Sequence, residues 1–207
     1  MKKLAKLNDE LIEMGTMVEK AIETAVSAFV NHDVKLAGEV IAADEEVNEK
    51  EKEIENLCLK LILSQQPVAG DLRQISSAIK MITDIERIGD HAADISEITR
   101  IMPEEKYTKK TGHITMMAKE TTIMLIDSIN AFVDNDAELA KSVIAHDDIV
   151  DELFEEVKKE LIELIHDDVE NGEEALDLLM VAKYLERIGD HATNVSEWVI
   201  YSITGSH

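Results

Sequence analysis

Apolar residues recur three or four positions apart through almost the whole chain, with Glu, Lys and Asp between them, and β-type alternation is absent. That period belongs to amphipathic α-helices, so the chain is read as all-α. Ala, Leu, Ile, Met, Glu and Lys, all good helix formers, fill the long segments, while aromatics make up only 3%. Breakers are few: Pro67 in "SQQPVAGD", Pro103 in "RIMPEEK", Asn171 and Gly172 in "VENGEE", and the polar turns "VNHDVK" and "VDNDAE". They divide the sequence into six predicted helices, at roughly 3–30, 34–64, 71–101, 110–133, 137–168 and 173–203. Asp71 followed by Gln74, and Asn171 followed by Glu174, have the spacing of capping boxes at two of the helix starts.

The pattern repeats. "AFVNHDVKLAGEVIAAD" at 28–44 corresponds to "AFVDNDAELAKSVIAHD" at 131–147, and "IERIGDHAADI" at 85–95 to "LERIGDHATNV" at 185–195. Residues 1–104 and 105–207 therefore read as two tandem, antiparallel three-helix bundles related by internal duplication. Helices of this length run about 45 Å, so two such bundles make an elongated rod.

Composition narrows the function classes. Asp and Glu number 44 against 21 Lys and Arg, a formal charge of −23, which repels nucleic acid and anionic membrane surfaces unless basic residues cluster. The nearest to a cluster is the short "EEKYTKK" at 104–110, so no nucleic-acid partner is expected. Cys58 stands alone in "ENLCLKLIL", where a thiol behaves as a small buried hydrophobe, and a disulfide within the chain is excluded. No run approaches the roughly 18 consecutive apolar residues of a membrane span, and a cytoplasmic, non-spanning protein is expected. Phosphate loops, HExxH, CxxC and a Ser-His-Asp arrangement are lacking, which argues against nucleotide-driven chemistry.

The candidate chemistry lies in the acids. Residues four apart on a helix are separated by about 40° around its axis. Glu86, Asp90, Asp94 and Glu97 thus form one acidic stripe and Glu186, Asp190, Asn194 and Glu197 its counterpart, with Ile88 and Ile95, or Ile188 and Val195, on the buried side. On the preceding helices, Asp44 and Asn48, and Asp147 and Asp151, are also four apart. Pro67 is halfway between Asp44 and Asp90, and the Asn171–Gly172 turn stands near the midpoint of Asp147 and Asp190. Each pair should therefore face its partner across a helix hairpin. Carboxylates so gathered repel one another by about 1 kcal/mol per pair at 4 Å in water and several times that in a protein. Arg87 and Arg187 offset part of this charge, and a multivalent cation matches the geometry better, with Fe, Mn, Mg or Ca before Zn or Cu. Acids at i and i+4 equally describe a solvated helix face, and spacing alone leaves both readings open.

The remaining candidates are weaker. His91 and His191 repeat as well, but they point about 100° from the adjacent Asp and suit hydrogen bonds around the site better than ligation. Gly89 and Gly189 cost roughly 1 kcal/mol each within a helix, which fits close approach by another helix or a partner, or inheritance through duplication. Met14, Met17, Met116, Met117 and Met124 have core spacing.

"QQPVAGDLR" at 65–73, with "DIERIGDHAADI" and "YLERIGDHATNV", resembles the PhoU family of phosphate-signalling proteins over essentially the whole chain. The resemblance implies two three-helix bundles carrying multinuclear iron, or zinc or another metal, on E/D-x-x-x-D motifs. Those motifs match Glu86–Asp90, Glu186–Asp190 and Asp147–Asp151, and less closely Asp44–Asn48. Asn48 stands opposite Asp151, and Asp94 opposite Asn194, so the two sites are expected to differ in metal number or affinity. The resemblance further implies a negative regulator of phosphate uptake and starvation signalling, not an enzyme. Such a regulator bridges the ATP-binding subunit of a phosphate ABC transporter and a sensor histidine kinase, meets the membrane only through those partners, and is expected to be a homodimer. Alternatives are an accessory regulator of a different phosphate transporter, a metal-free scaffold for a basic partner, and a di-iron carboxylate oxidase. The oxidase class needs Glu-x-x-His motifs in pairs, and this chain has one, Glu163 to His166.

Overall fold

The width of each helix's buried stripe sets its place. α2 (Val34–Gln65) and α5 (Ala137–Asp167) bury narrow stripes whose spine recurs every seven residues, Val40, Val47, Ile54 and Leu61 in α2 and Val143, Val150, Val157 and Leu164 in α5, with few other buried residues beside it. Such helices can cover a core from one side only. α3 (Ala69–Ile101) and α6 (Gly172–Thr204) are buried over a broader arc, 14 of 33 residues in α3 against 7 of 31 in α5. They accordingly run through the middle. α1 (Lys2–Asn31) and α4 (Gly112–Asp134) complete the two up-down-up bundles.

A computed structural model of the chain describes residues 2–65, 67–103 and 111–206, and within them no strand occurs. The basic stretch at 104–110 and the predicted boundary between residues 104 and 105 lie outside the described residues. The bundles lie side by side: α3 packs on α6 and α1 on α4, leaving α2 and α5 as outer helices. Arg73, near the start of α3, lies beside Gly205, just past the end of α6, so those two central helices are antiparallel. One continuous apolar cluster runs from Leu7 to Val199 and spans both repeats. Fully buried side chains such as Leu11, Phe29, Ile85 and Ile114 each contribute about 1.5–3 kcal/mol by leaving water.

The turn after the first helix of each repeat is built alike. His32 and Asn135 take left-handed backbone angles, φ 50° and 54°, and the next residue, Asp33 or Asp136, caps the following helix. Asp33 accepts from the Leu36 amide at 2.9 Å, and Asp136 from the Glu138 and Leu139 amides at 3.0 Å. The two expected capping boxes are not formed. α3 begins two residues before Asp71, after Val68, and Gln74 instead donates to Asn135 at 2.5 Å. Asn171 precedes α6, but its amide donates to the Leu164 carbonyl at 3.1 Å. Met14, Met117 and Met124 are core residues, Met17 packs partly against it, and Met116 departs from expectation by being half exposed. Cys58 is buried and its thiol pushed up to about 12 by that burial.

Candidate carboxylate sites

The hairpin of α2 and α3 brings Asp44, Asn48, Glu86 and Asp90 together. Burial raises the Asp44 carboxyl above its ordinary value, the Asp90 charge adds to this, and the Asn48 amide partly offsets it. Glu86 is raised for the same reasons, by burial and then by Asp90, with Arg87 opposing. Arg87 donates to Asp90 at 2.7 Å and approaches Glu86 at 3.6 Å, the neutralising position expected of it. Glu51, which the four-residue spacing passes over, also raises Glu86 and accepts a bond from Thr83 at 3.2 Å. Its signal in the sequence was a further step of three from Asn48 along α2.

The hairpin of α5 and α6 gathers Asp147, Asp151, Glu186 and Asp190 in the same way. Asp147 is raised to about 6, first by burial and then by Asp151, Asp190 and Glu186. Asp190 is raised by burial and then by Glu186. The cation here is Lys183 rather than Arg187: its Nζ lies 2.6 Å from Glu186 and 5.5 Å from the Phe154 ring centroid. Phe154 occupies the position of Glu51, and Lys183 that of Thr83.

The repeated glycines have a physical reason. A Cβ on Gly189 would stand 2.8 Å from the Asp147 carboxylate oxygen, inside any normal contact, so glycine is what lets that carboxylate lie against α6. At Gly89 the corresponding Cβ would be 3.3 Å from Val47 and 3.8 Å from Asp44. Close approach by the facing helix is therefore the explanation among those the sequence left open.

Other predicted residues sit at the seam between α3 and α6. His91 is buried, stacks on Tyr184 with ring centroids 5.5 Å apart, lies 5.6 Å from His191, and meets Asp94 at 3.1 Å. Burial holds the His91 imidazole below its ordinary pKa. His191 meets Asp84 at 2.8 Å, and the Asn194 amide donates to the same oxygen at 3.1 Å. Asn194 thus turns toward the other repeat instead of toward Asp190. Asp94 divides its influence, bonding His91 while its charge still reaches Asp44. Arg187 is exposed, and its charge acts on His91 and Tyr184. Neither Asp84 nor Tyr184 was marked by the repeat, because the two helices differ at that position.

A cleft of about 380 Å³ opens between α1 and α2 and reaches Asp44 and Gly89. In the second repeat, Met17 and Ala43 are replaced by Glu120 and His146, whose side chains bridge α4 and α5 at 2.7 Å. Oxygen donors under mutual repulsion are what an oxygen-preferring cation takes, and Asp44 Oδ1 and Asn48 Oδ1 are buried without a hydrogen-bond partner. The residues fit such an ion in chemistry and electrostatics. They are not drawn into a ready shell: among the described residues no three His, Cys, Asp or Glu side chains are grouped so as to hold a metal ion.

Fold and sites together define a duplicated helical protein with one carboxylate site per repeat. The PhoU domain family matches residues 11–99 and 114–199, and the chain belongs to that family. A Clostridium acetobutylicum protein described as a phosphate-specific transport system accessory protein PhoU homolog is 39% identical over 98% of this chain and 93% of that protein. PhoU from Pseudomonas aeruginosa, in its crystal structure, is 32% identical and superposes with a TM-score of 0.91 over 99% of both chains. The crystal structure of the phosphate transport system regulatory protein PhoU from Streptococcus pneumoniae, 28% identical, gives 0.89 over 98% of this chain and 96% of that one.

Proposed function

We propose that this chain is a regulatory accessory protein of a phosphate-specific transport system, which restrains phosphate uptake and starvation signalling when phosphate is plentiful. The observation that carries the reading is end-to-end similarity to a relative named as an accessory protein of a phosphate-specific transport system, at 39% identity over 98% of the chain. Its partners are the ATP-binding subunit of the transporter and a sensor histidine kinase, and it works at the cytoplasmic face of the membrane through them, as a homodimer. No helix among the described residues is long and apolar enough to cross a membrane. A regulator of this kind needs no reaction centre: it binds one partner state more tightly than another and shifts the equilibrium by that difference. Deleting the gene is expected to raise phosphate uptake and starvation-gene output in rich phosphate. Unchanged uptake and output would remove the reading, whereas derepression through another transporter would change only the partner. Affinity capture from phosphate-replete cells names that partner directly.

In the same reading, each repeat holds an oxygen-preferring metal, iron before manganese, magnesium, calcium or zinc. Asp44, Asn48, Glu51, Glu86 and Asp90 would hold it in the first, and Asp147, Asp151, Glu186 and Asp190 in the second. When bound, the ion supplies the positive charge that lets neighbouring carboxylates stay ionised together. Metal analysis of the purified protein should fall in Glu86→Ala/Asp90→Ala and in Glu186→Ala/Asp190→Ala. Equal metal in parent and variants disposes of the sites. The oxidase alternative has less to support it, since Glu163 and His166 are exposed near the end of α5, away from both sites.

A further inference from the structure

The two hairpin tips are alike in apolar exposure and opposite in charge. At the α5–α6 tip, Ile162, Val169 and Leu176 are 66%, 79% and 61% exposed. They are seven residues apart, and Ile162 and Leu176 are nearly equidistant from the turn, which places all three at one end of the hairpin. Residues 160–177 hold eight Asp and Glu and no Lys or Arg, with Glu163, Asp167, Asp168 and Glu170 exposed in the same stretch as the aliphatic side chains. At the α2–α3 tip, Leu63 and Val68 are 84% and 70% exposed, yet residues 57–77 carry only Lys60, Asp71 and Arg73.

Exposed aliphatic side chains grouped at one end of a hairpin mark a contact surface, and the charge in the same stretch selects which partner. An anionic lipid surface is repelled by this charge, and so is a second copy of so acidic a tip. We infer that the α5–α6 tip is a docking surface for a basic amphipathic segment of a partner protein. That segment seats aliphatic side chains on Ile162, Val169 and Leu176 and pairs its Lys or Arg with the carboxylates of the same stretch. The arrangement is the helix-against-apolar-patch mode of recognition, with charge supplying approach and register. The inference goes beyond the phosphate reading and does not depend on metal.

The probe is a fluorescein-labelled Leu/Lys peptide of about 18 residues with helical apolar period, beside the same residues scrambled so that no apolar face forms. Fluorescence anisotropy against the full chain should show the patterned peptide binding at least about tenfold more tightly than the scrambled one. Ile162→Ser/Val169→Ser/Leu176→Ser, which leaves every charge in place, should remove about tenfold or more of that affinity. Leu63→Ser/Val68→Ser/Leu72→Ser should change it by less than about twofold. Glu163→Gln/Asp167→Asn/Glu170→Gln should flatten the dependence on salt. Equal binding of the two peptides, equal loss at both tips, or no binding overturns the inference. The substituted side chains are exposed, and unchanged thermal melts separate lost docking from lost fold.

Discussion

The two repeats share one helical plan and place negative charge on it differently. In the first, the outer helix contributes Asp44 and Glu51 with the neutral Asn48 between them; in the second it contributes Asp147 and Asp151, and Phe154 stands where Glu51 would be. Each site thus gathers four carboxylates, but one of them has moved by a turn. The compensating cation moves with it: Arg87 reaches Asp90 in the first repeat, while in the second Lys183, held over Phe154, reaches Glu186. Total charge at a site is therefore set by the pair of helices and not by any one position. Approach also differs, since the first site opens on a cleft where the second is bridged by Glu120 and His146.

The largest expected effect tests a difference away from the sites. Lys50 is 8% exposed and bonded to Glu10 at 2.6 Å and to Glu13, whereas the second repeat has Leu153, with His113 and Met116 in place of the two acids. Burial works against the Lys50 ammonium, but the two glutamates outweigh it and hold its pKa above the usual lysine value. Lys50→Ala should lower stability by about 2–3 kcal/mol, because it removes packing and leaves Glu10 the longer Lys6 contact at 3.8 Å. Lys50→Leu, the second repeat's solution, should cost about half of that. Denaturant titration decides, and equal loss in both variants would mean that packing alone matters here.

Next comes the glycine pair. Alanine gains about 1 kcal/mol of helix propensity at either position. At Gly189 it must displace the Asp147 carboxylate, for a net loss of about 1 kcal/mol, while Gly89→Ala should be neutral or slightly stabilising. If both substitutions stabilise equally, the Asp147 contact has no energetic weight.

An effect of comparable size is electrostatic. Asp147, at about 6 in the folded chain against an ordinary 3.8, stays protonated in the native state where the unfolded chain has ionised. Its contribution is thus greatest at low pH and is lost as pH rises through about 6, on the order of 1–2 kcal/mol after allowance for solvent screening. Asp151→Asn removes the largest neighbouring charge and should flatten this loss in chelator-treated protein; Asn48→Asp should impose it on the first site. Urea midpoints at pH 4.5 and 7 for parent and variants measure the difference, and parallel profiles would show the sites uncoupled. Least of all, Asp84→Asn should cost about 0.5 kcal/mol, because the His191 pair across the seam is partly exposed. A cost several times larger would make the seam a principal support of the two-repeat assembly.

Much of this is legible in the sequence. Six helices, and their ends to within two residues, followed from period and breakers, because an amphipathic stripe is a local property of the sequence. Asp44 and Asp147 were placed opposite Asp90 and Asp190 by counting from the hairpin turns, which works because short turns force antiparallel neighbours. Glu51 and Lys183 were missed because a search by duplication finds what the halves share, and these residues differ between them. One capping box failed because α3 starts two residues before Asp71, the other because the Asn171 amide bonds the Leu164 carbonyl instead.

By itself the sequence determined the helices, their duplication and which carboxylates share a hairpin, since all three depend on spacing along one chain and rigid helical geometry. Only the tertiary structure decided that α3 and α6 lie antiparallel at the centre, that His91, His191 and Asn194 face the seam, and that Gly189 cradles Asp147. Those outcomes depend on how two broad apolar faces interlock, and helices of the same period can be packed in several ways that no single-chain pattern distinguishes.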